Sequence, residues 1–166
     1  IKRGEQVGSQ RSTIQMVKRG TTRLLRLVNE LMEFRKINTG NARLSLQQCD
    51  IIQIVRNVYD DFRTLAEQKR LNLSFTPFDK QFIAAFDKNK VETIVYNLLS
   101  NAIKYTPNKG DVKICIKHNE GNITMSVSDS GPGISEQQKQ SLFEPFMHGY
   151  VSNGGMGIGL YTAYNM

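Results

Sequence analysis

Apolar residues recur at three- and four-residue intervals through the first part of the chain. Ile14, Val17, Leu24, Val28 and Leu31 form one stripe, and Leu25, Leu27, Met32 and Phe34 widen it. That period matches the turn of an α-helix and predicts one long amphipathic helix from Ser12 to about Asn38, stopped by Gly40. Residues 1–11 read as loop. With Thr21 and Arg35 completing its seam, the stripe is too apolar to stand in water and calls for a neighbour in a helical hairpin or dimeric bundle.

Beyond Gly40 the period alternates between two and three-to-four residues. Leu44 and Leu46 alternate with polar positions as in a short strand. Asp50-Ile-Ile-Gln53 is a capping-box pattern opening a helix that turns Ile51, Ile54, Val55, Val58, Phe62 and Leu65 inward. Leu71, Leu73 and Phe75 predict a second strand. After Pro77 the apolar run from Phe82 to Phe86 meets Asp87, an N-cap for a helix reaching about Tyr105, closed by Pro107 and Gly110. Val112, Ile114 and Ile116, then Ile123, Met125 and Val127, predict two strands joined as a hairpin through residues 119–122. Ser135-Glu-Gln-Gln138 caps a short helix, and a last helix runs through Tyr161 and Ala163. This order predicts an α+β fold, a two-layer α/β sandwich with helices on one face of a mixed sheet, preceded by the long amphipathic helix.

At 166 residues and 39% hydrophobic content, the chain suits one globular domain with an appendage. It contains no apolar run long enough to span a bilayer and no signal-peptide pattern, so any membrane link is expected to lie in other segments. Cys49 and Cys115 are too few and too far apart for a disulfide framework or a zinc site, which points to a reducing, cytoplasmic setting. The net charge of +7 is concentrated: residues 1–40 hold nine Lys or Arg against three acids, and the remainder is nearly neutral. With no aromatic-interleaved basic stretch, direct binding of nucleic acid is not expected.

Three groups of residues could carry chemistry. Asn97, Asn101, Lys104 and Tyr105 share a face of the helix from Asp87, opposite Val91, Ile94, Val95, Leu98, Leu99, Ala102 and Ile103. Such a face is either solvated surface or a polar wall. Asp129 continues the inward phase of its strand and leads into Gly131-Pro-Gly133-Ile134. A recessed carboxylate beside glycines can accept from the exocyclic amine of a purine, although a simple Asx turn has the same sequence. Gly154-Gly-Met-Gly157-Ile-Gly159-Leu160 opens a helix and could cradle phosphate with backbone N–H groups. It has neither the terminal Lys-Ser/Thr of a P-loop nor the setting of a Rossmann turn.

Taken in order, N-L-L-S-N-A-I-K-Y-T-P at Asn97–Pro107, D-S-G-P-G-I at Asp129–Ile134, L-F-E-P-F at Leu142–Phe146 and G-M-G-I-G-L at Gly155–Leu160 resemble the N box, first glycine box, F box and second glycine box of sensor histidine kinases. Residues 22–37 are similar to the second helix of that family's dimerization and phosphotransfer hairpin. The resemblance implies a histidine kinase, gyrase and heat-shock ATPase type of fold, with residues 1–40 as part of the hairpin and 41–166 as an ATP-binding catalytic domain lacking its C-terminal end. It implies ATP and Mg²⁺, with Asn101 as metal ligand and Asn97 and Lys104 near the phosphates or the metal's water shell. Tyr105 would lie against adenine and Asp129 would accept from its amine. Gly131 and Gly133, with Ile134, would shape the base pocket. Gly157 and Gly159, with Leu160, would meet the phosphates at the end of a mobile lid that Phe143 and Phe146 anchor in the core.

The expected reaction is transfer of the ATP γ-phosphoryl group to a histidine on a helix outside this chain and thence to an aspartate of a response-regulator receiver domain. Partners would be a second copy, through the hairpin, and that receiver. The setting would be the cytoplasmic part of a membrane-anchored bacterial sensor. Related ATPases such as gyrase B carry a Glu where Asn97 stands, and an amide cannot activate water, so retention of ATP for phosphotransfer is expected over hydrolysis. His118 and His148 match no phosphoacceptor motif. The alternatives are a serine-protein kinase of the same superfamily and a degenerate nucleotide-binding scaffold.

Overall fold

A computed structural model of the protein describes residues 20, 21, 24, 25, 28, 29, 31, 32, 34–36, 38, 39, 44–146 and 157–166. Every described residue from 20 to 38 is helical, and Thr39 ends the run with its N–H and hydroxyl on the Arg35 carbonyl. Leu24, Leu25, Val28, Leu31 and Met32 are exposed, Leu24 at 63%, so a single copy leaves the stripe open. The expected loop at 1–11, the helix start at Ser12, Ile14, Val17, Leu27 and the Gly40 stop lie outside the described residues.

The remaining elements are β1 (Gln47–Asp50), α1 (Ile51–Gln68), β2 (Asn72–Thr76), β3 (Ile83–Phe86), α2 (Lys88–Tyr105), β4 (Asp111–Asn119), β5 (Asn122–Asp129), α3 (Glu136–Ser141) and α4 (Gly159–Tyr164). The first strand starts later than its leucines suggest, and Leu44 and Leu46 are exposed. β1 pairs antiparallel with β3 from Gln47↔Phe86 to Asp50↔Ile83, and beyond Phe86 the partner chain turns into α2. Residues 44–46 therefore have no ladder to join.

Asp50 caps α1 as expected, accepting from the Ile52 N–H, and the same oxygen accepts from the Phe82 N–H. The reciprocal capping box is not made: Asp50 takes the Ile52 N–H and not that of Gln53, whose side chain donates to Asn57 Oδ1. Along α1 the buried positions run Ile51, Val55, Val58, Phe62 and Ala66, with Ile52 and Ile54 beside them. Ala66 takes the inward place after Phe62, and Leu65 is left exposed.

β2 lies parallel to β4, and β4 pairs antiparallel with β5 through the turn at Glu120 and Gly121, both at positive φ. Val112, Ile114 and Ile116 on one face of β4 are buried against α1 and α2, while Lys113 and Lys117 on the other face are exposed. Each fully buried aliphatic side chain contributes about 1.5–3 kcal/mol. The α+β sandwich with a mixed sheet is thus present, and β1 and β3 form a separate two-stranded ribbon.

Candidate functional site

The site is organised around α2. At its N-terminus Asp87 accepts from the Lys90 N–H and, through its other oxygen, from the Ser45 N–H at 2.9 Å. The Ser45 hydrogen bond is the chief reason the carboxyl is held below the usual Asp range. Burial opposes that shift, and the Lys90 N–H and charge add to it.

Farther along, the predicted polar face is graded in depth. Asn101, Lys104 and Tyr105 are half-buried, but Asn97 is buried at 6% exposure. It is not a surface amide, because the start of α4 lies over it: a Cβ at Gly159 would stand 3.0 Å from Asn97 Oδ1. A side chain there would press on the Asn97 amide, and glycine avoids that contact. The Asn97 Nδ2 has no hydrogen-bond partner among the described residues. A buried unpaired N–H costs about 1–3 kcal/mol, so the amide is a donor for which the described residues offer no acceptor. On the opposite face Val95, Leu99, Ala102 and Ile103 are buried, and Val91, Ile94 and Leu98 are half-buried.

At the C-terminus of α2 the Lys104 ammonium lies 4.8 Å from the Tyr105 ring centroid. The last carbonyls of the helix are met by Lys69, whose Nζ donates to Ile103, Lys104 and Thr106. Sequence reasoning missed Lys69. It stands at the polar end of α1, where nothing local separates it from a solvated lysine.

Asp129 departs from expectation. It is the last residue of β5, and at that end of the ladder the inward phase opens to solvent, so the carboxylate is exposed. Its Oδ1 accepts from the Gly131 N–H at 2.8 Å, forming an Asx-type turn. A Cβ at Gly131 would stand 2.6 Å from that oxygen and 3.3 Å from the Tyr105 carbonyl oxygen, so only glycine lets this turn sit against the end of α2. Gly133 has φ +74°, and Ile134 is exposed. The Asp129 turn and the C-terminal turn of α2 are therefore adjoining walls.

The second glycine cluster is described from Gly157 onward. Gly157 has φ +71°, Ile158 is fully buried and anchors the start of α4, and Leu160 is half-buried. Residues 154–156 and His148 lie outside the described residues. Phe143 and Phe146 are not core anchors, being 44% and 56% exposed. They follow the short helix α3 and reach sideways: Phe143 stacks on Tyr164, and Phe146 packs edge-on against Phe34 of the N-terminal helix. Phe34 also meets Tyr161, whose hydroxyl donates to Asn38. His118 packs with Phe78 and Phe82, away from these walls.

Among the described residues there is no cluster of three or more His, Cys, Asp or Glu able to hold a metal ion. None of their helices is long and apolar enough to cross a membrane. An orphaned buried amide, two glycines that admit close approach and an exposed carboxylate at one end together fit a ligand with a polyanionic tail and a polar head group.

Residues 86–166 match the family described as histidine kinase-, DNA gyrase B-, and HSP90-like ATPase. The chain carries an ATPase catalytic domain of the histidine kinase type, homologous to those of sensor histidine kinases. It is 30% identical over 158 residues to histidine kinase P4 of Formosa agariphila, covering 91% of this chain and 12% of that protein. It is 33% identical over 151 residues to the sensor histidine kinase TmoS of Ectopseudomonas mendocina, covering 88% and 15%. The chain thus spans less than a sixth of the length of either relative. Among solved structures, full-length ShkA in complex with AMPPNP superposes with a TM-score of 0.74 at 26% identity, over 95% of this chain and 33% of that one.

Proposed function

We propose that the chain is the ATP-binding catalytic region of a sensor histidine kinase, with residues 41–166 as the catalytic domain and residues 1–40 contributing the second helix of its dimerization and phosphotransfer hairpin. The observation that carries the reading is the buried Asn97 amide, unpaired among the described residues and facing the glycine start of α4. Adenine would lie by Tyr105, with its amine on the exposed oxygens of Asp129. The phosphates would run along α2 past Lys104 and Asn101 to the N–H groups near Gly157 and Gly159. Gly131, Gly133 and Ile134 would border the base, and Leu160 the phosphate end.

Asn101 would hold Mg²⁺, whose charge offsets that of the phosphates. Asn97 offers an amide where hydrolysis needs a base, so water at the γ-phosphate is not activated. The γ-phosphoryl group is kept for a histidine supplied by a helix outside this chain, and then for an aspartate of a receiver domain. The exposed leucine stripe of residues 24–32 would be covered by the hairpin of a homodimer. The relatives' description as sensor kinases supports a cytoplasmic position in a membrane-anchored sensor.

Calorimetric titration with Mg-ATP tests this. The unaltered chain should bind, and Asp129→Asn, which loses the charge and keeps the shape, should bind no adenine nucleotide while retaining its circular dichroism spectrum. Unchanged affinity in that variant would sink the assignment. In the full-length kinase the phosphorylated product should be acid-labile, as phosphohistidine is. Acid-stable phosphoserine would redirect the reading to the serine-kinase alternative.

A further inference from the structure

We propose that Lys69 is a positioning residue for the adenine end of the site, a role that rests on the ATP reading above. Lys69 is the C-cap residue of α1 and is half-buried beside the end of α2. The last carbonyls of an α-helix have no partners within the helix, and its C-terminus attracts a positive charge. Lys69 meets both needs. Its Nζ donates to the carbonyl oxygens of Ile103 at 2.6 Å, Lys104 at 3.3 Å and Thr106 at 2.9 Å, using the three donors that an ammonium has.

The carbonyl omitted from this set belongs to Tyr105, and its oxygen is the one that abuts Gly131 beside the Asp129 carboxylate. Lys69 therefore gathers three carbonyls toward α1 and leaves the fourth against the Asp129 turn. Its own backbone carbonyl accepts from the Lys109 N–H, so the loop leaving α2 is tied to the same residue. The spacing between Tyr105 and Asp129, which would set the width of the base pocket, is thus held by a side chain from the C-cap of the other helix. Arginine carries a planar fork in place of a compact point charge and fits three converging carbonyls less well.

The test compares the 166-residue chain with Lys69→Met and Lys69→Arg, reading affinity for Mg-ATP and ADP by calorimetry and backbone hydrogen exchange without nucleotide. Lys69→Met should weaken binding about tenfold or more, as loss of a charged hydrogen-bond set implies. Because the defect lies at the base end, ATP and ADP should lose affinity by the same factor. Exchange should rise at residues 102–106 and 129–131 and little elsewhere, and Lys69→Arg should recover part of the affinity. Unchanged ATP affinity in Lys69→Met, or a loss that merely follows the fraction unfolded, would overturn the positioning role and leave the ATP reading standing. Failure of the unaltered chain to bind ATP would instead overturn the ATP reading, and the positioning role with it.

Discussion

α1 and α2 are both 18 residues long, pack side by side in one core, and start at an aspartate whose carboxylate also takes a backbone N–H from a distant segment. They differ in what they bury. α1 buries only apolar side chains, whereas α2 buries Asn97 among Val95, Leu99, Ala102 and Ile103. Two helices built to one plan thus separate a scaffold from a working element by a single amide. On the ATP reading proposed above, the nucleotide would supply the partner that Asn97 lacks among the described residues.

The largest effect should come from the scaffold helix. Ile52 is fully buried, and Ile52→Ala should cost about 2–5 kcal/mol in urea denaturation while the molecules that remain folded bind ATP as before. A selective loss of affinity without loss of stability would show that α1 is not passive. On α2 the pattern should invert. Asn97→Ala deletes the orphaned donor, which offsets the small cavity left behind, so stability should stay within about 1 kcal/mol of the unaltered chain. ATP affinity should nonetheless fall roughly ten- to a hundredfold. A large drop in melting temperature would mean that the amide is structural after all.

The caps should behave alike and give the smallest effects, with Asp50→Ala and Asp87→Ala each costing about 0.5–2 kcal/mol. The pH dependence adds a sharper mark. The folded-state pKa of Asp87 is lowered, so its contribution is complete above the ordinary Asp range near pH 4 and is lost as pH falls through the lower folded value. Melting curves of the unaltered chain and Asp87→Asn should converge as pH drops below about 4. Parallel curves there would show that the Ser45 and Lys90 contacts do not favour the ionised form.

What could be read from the sequence was local. Asp87 as a cap, the end of its helix at Tyr105, the Asn119–Asn122 hairpin and the Ser135 capping box all rest on neighbours within four residues. Of the glycines in the motifs, Gly131 and Gly159 do lie against α2. The errors came from contacts across the chain. The depth of Asn97 was hidden because the α4 that covers it lies some sixty residues on. Asp129 looked recessed because strand phase says nothing about where a ladder ends. Phe143 and Phe146 looked like core because two phenylalanines in one motif carry no hint that their ring partners are Tyr164 and Phe34. Lys69 gave no signal, since its acceptors are carbonyls, which every residue possesses.

β2 and β4 are parallel neighbours, so residues 77–110 must cross from the end of one to the start of the other, and α2 is the helix of that crossing. The β4–β5 hairpin can close across two residues, but β2 can join only after the intervening chain has folded back. Assembly of the sheet therefore waits on α2, the helix proposed to bind the nucleotide. In pulse-labelled refolding, amides of residues 122–129 should gain protection before those of residues 72–76, and the reverse order would show that the crossover is not the slow closure.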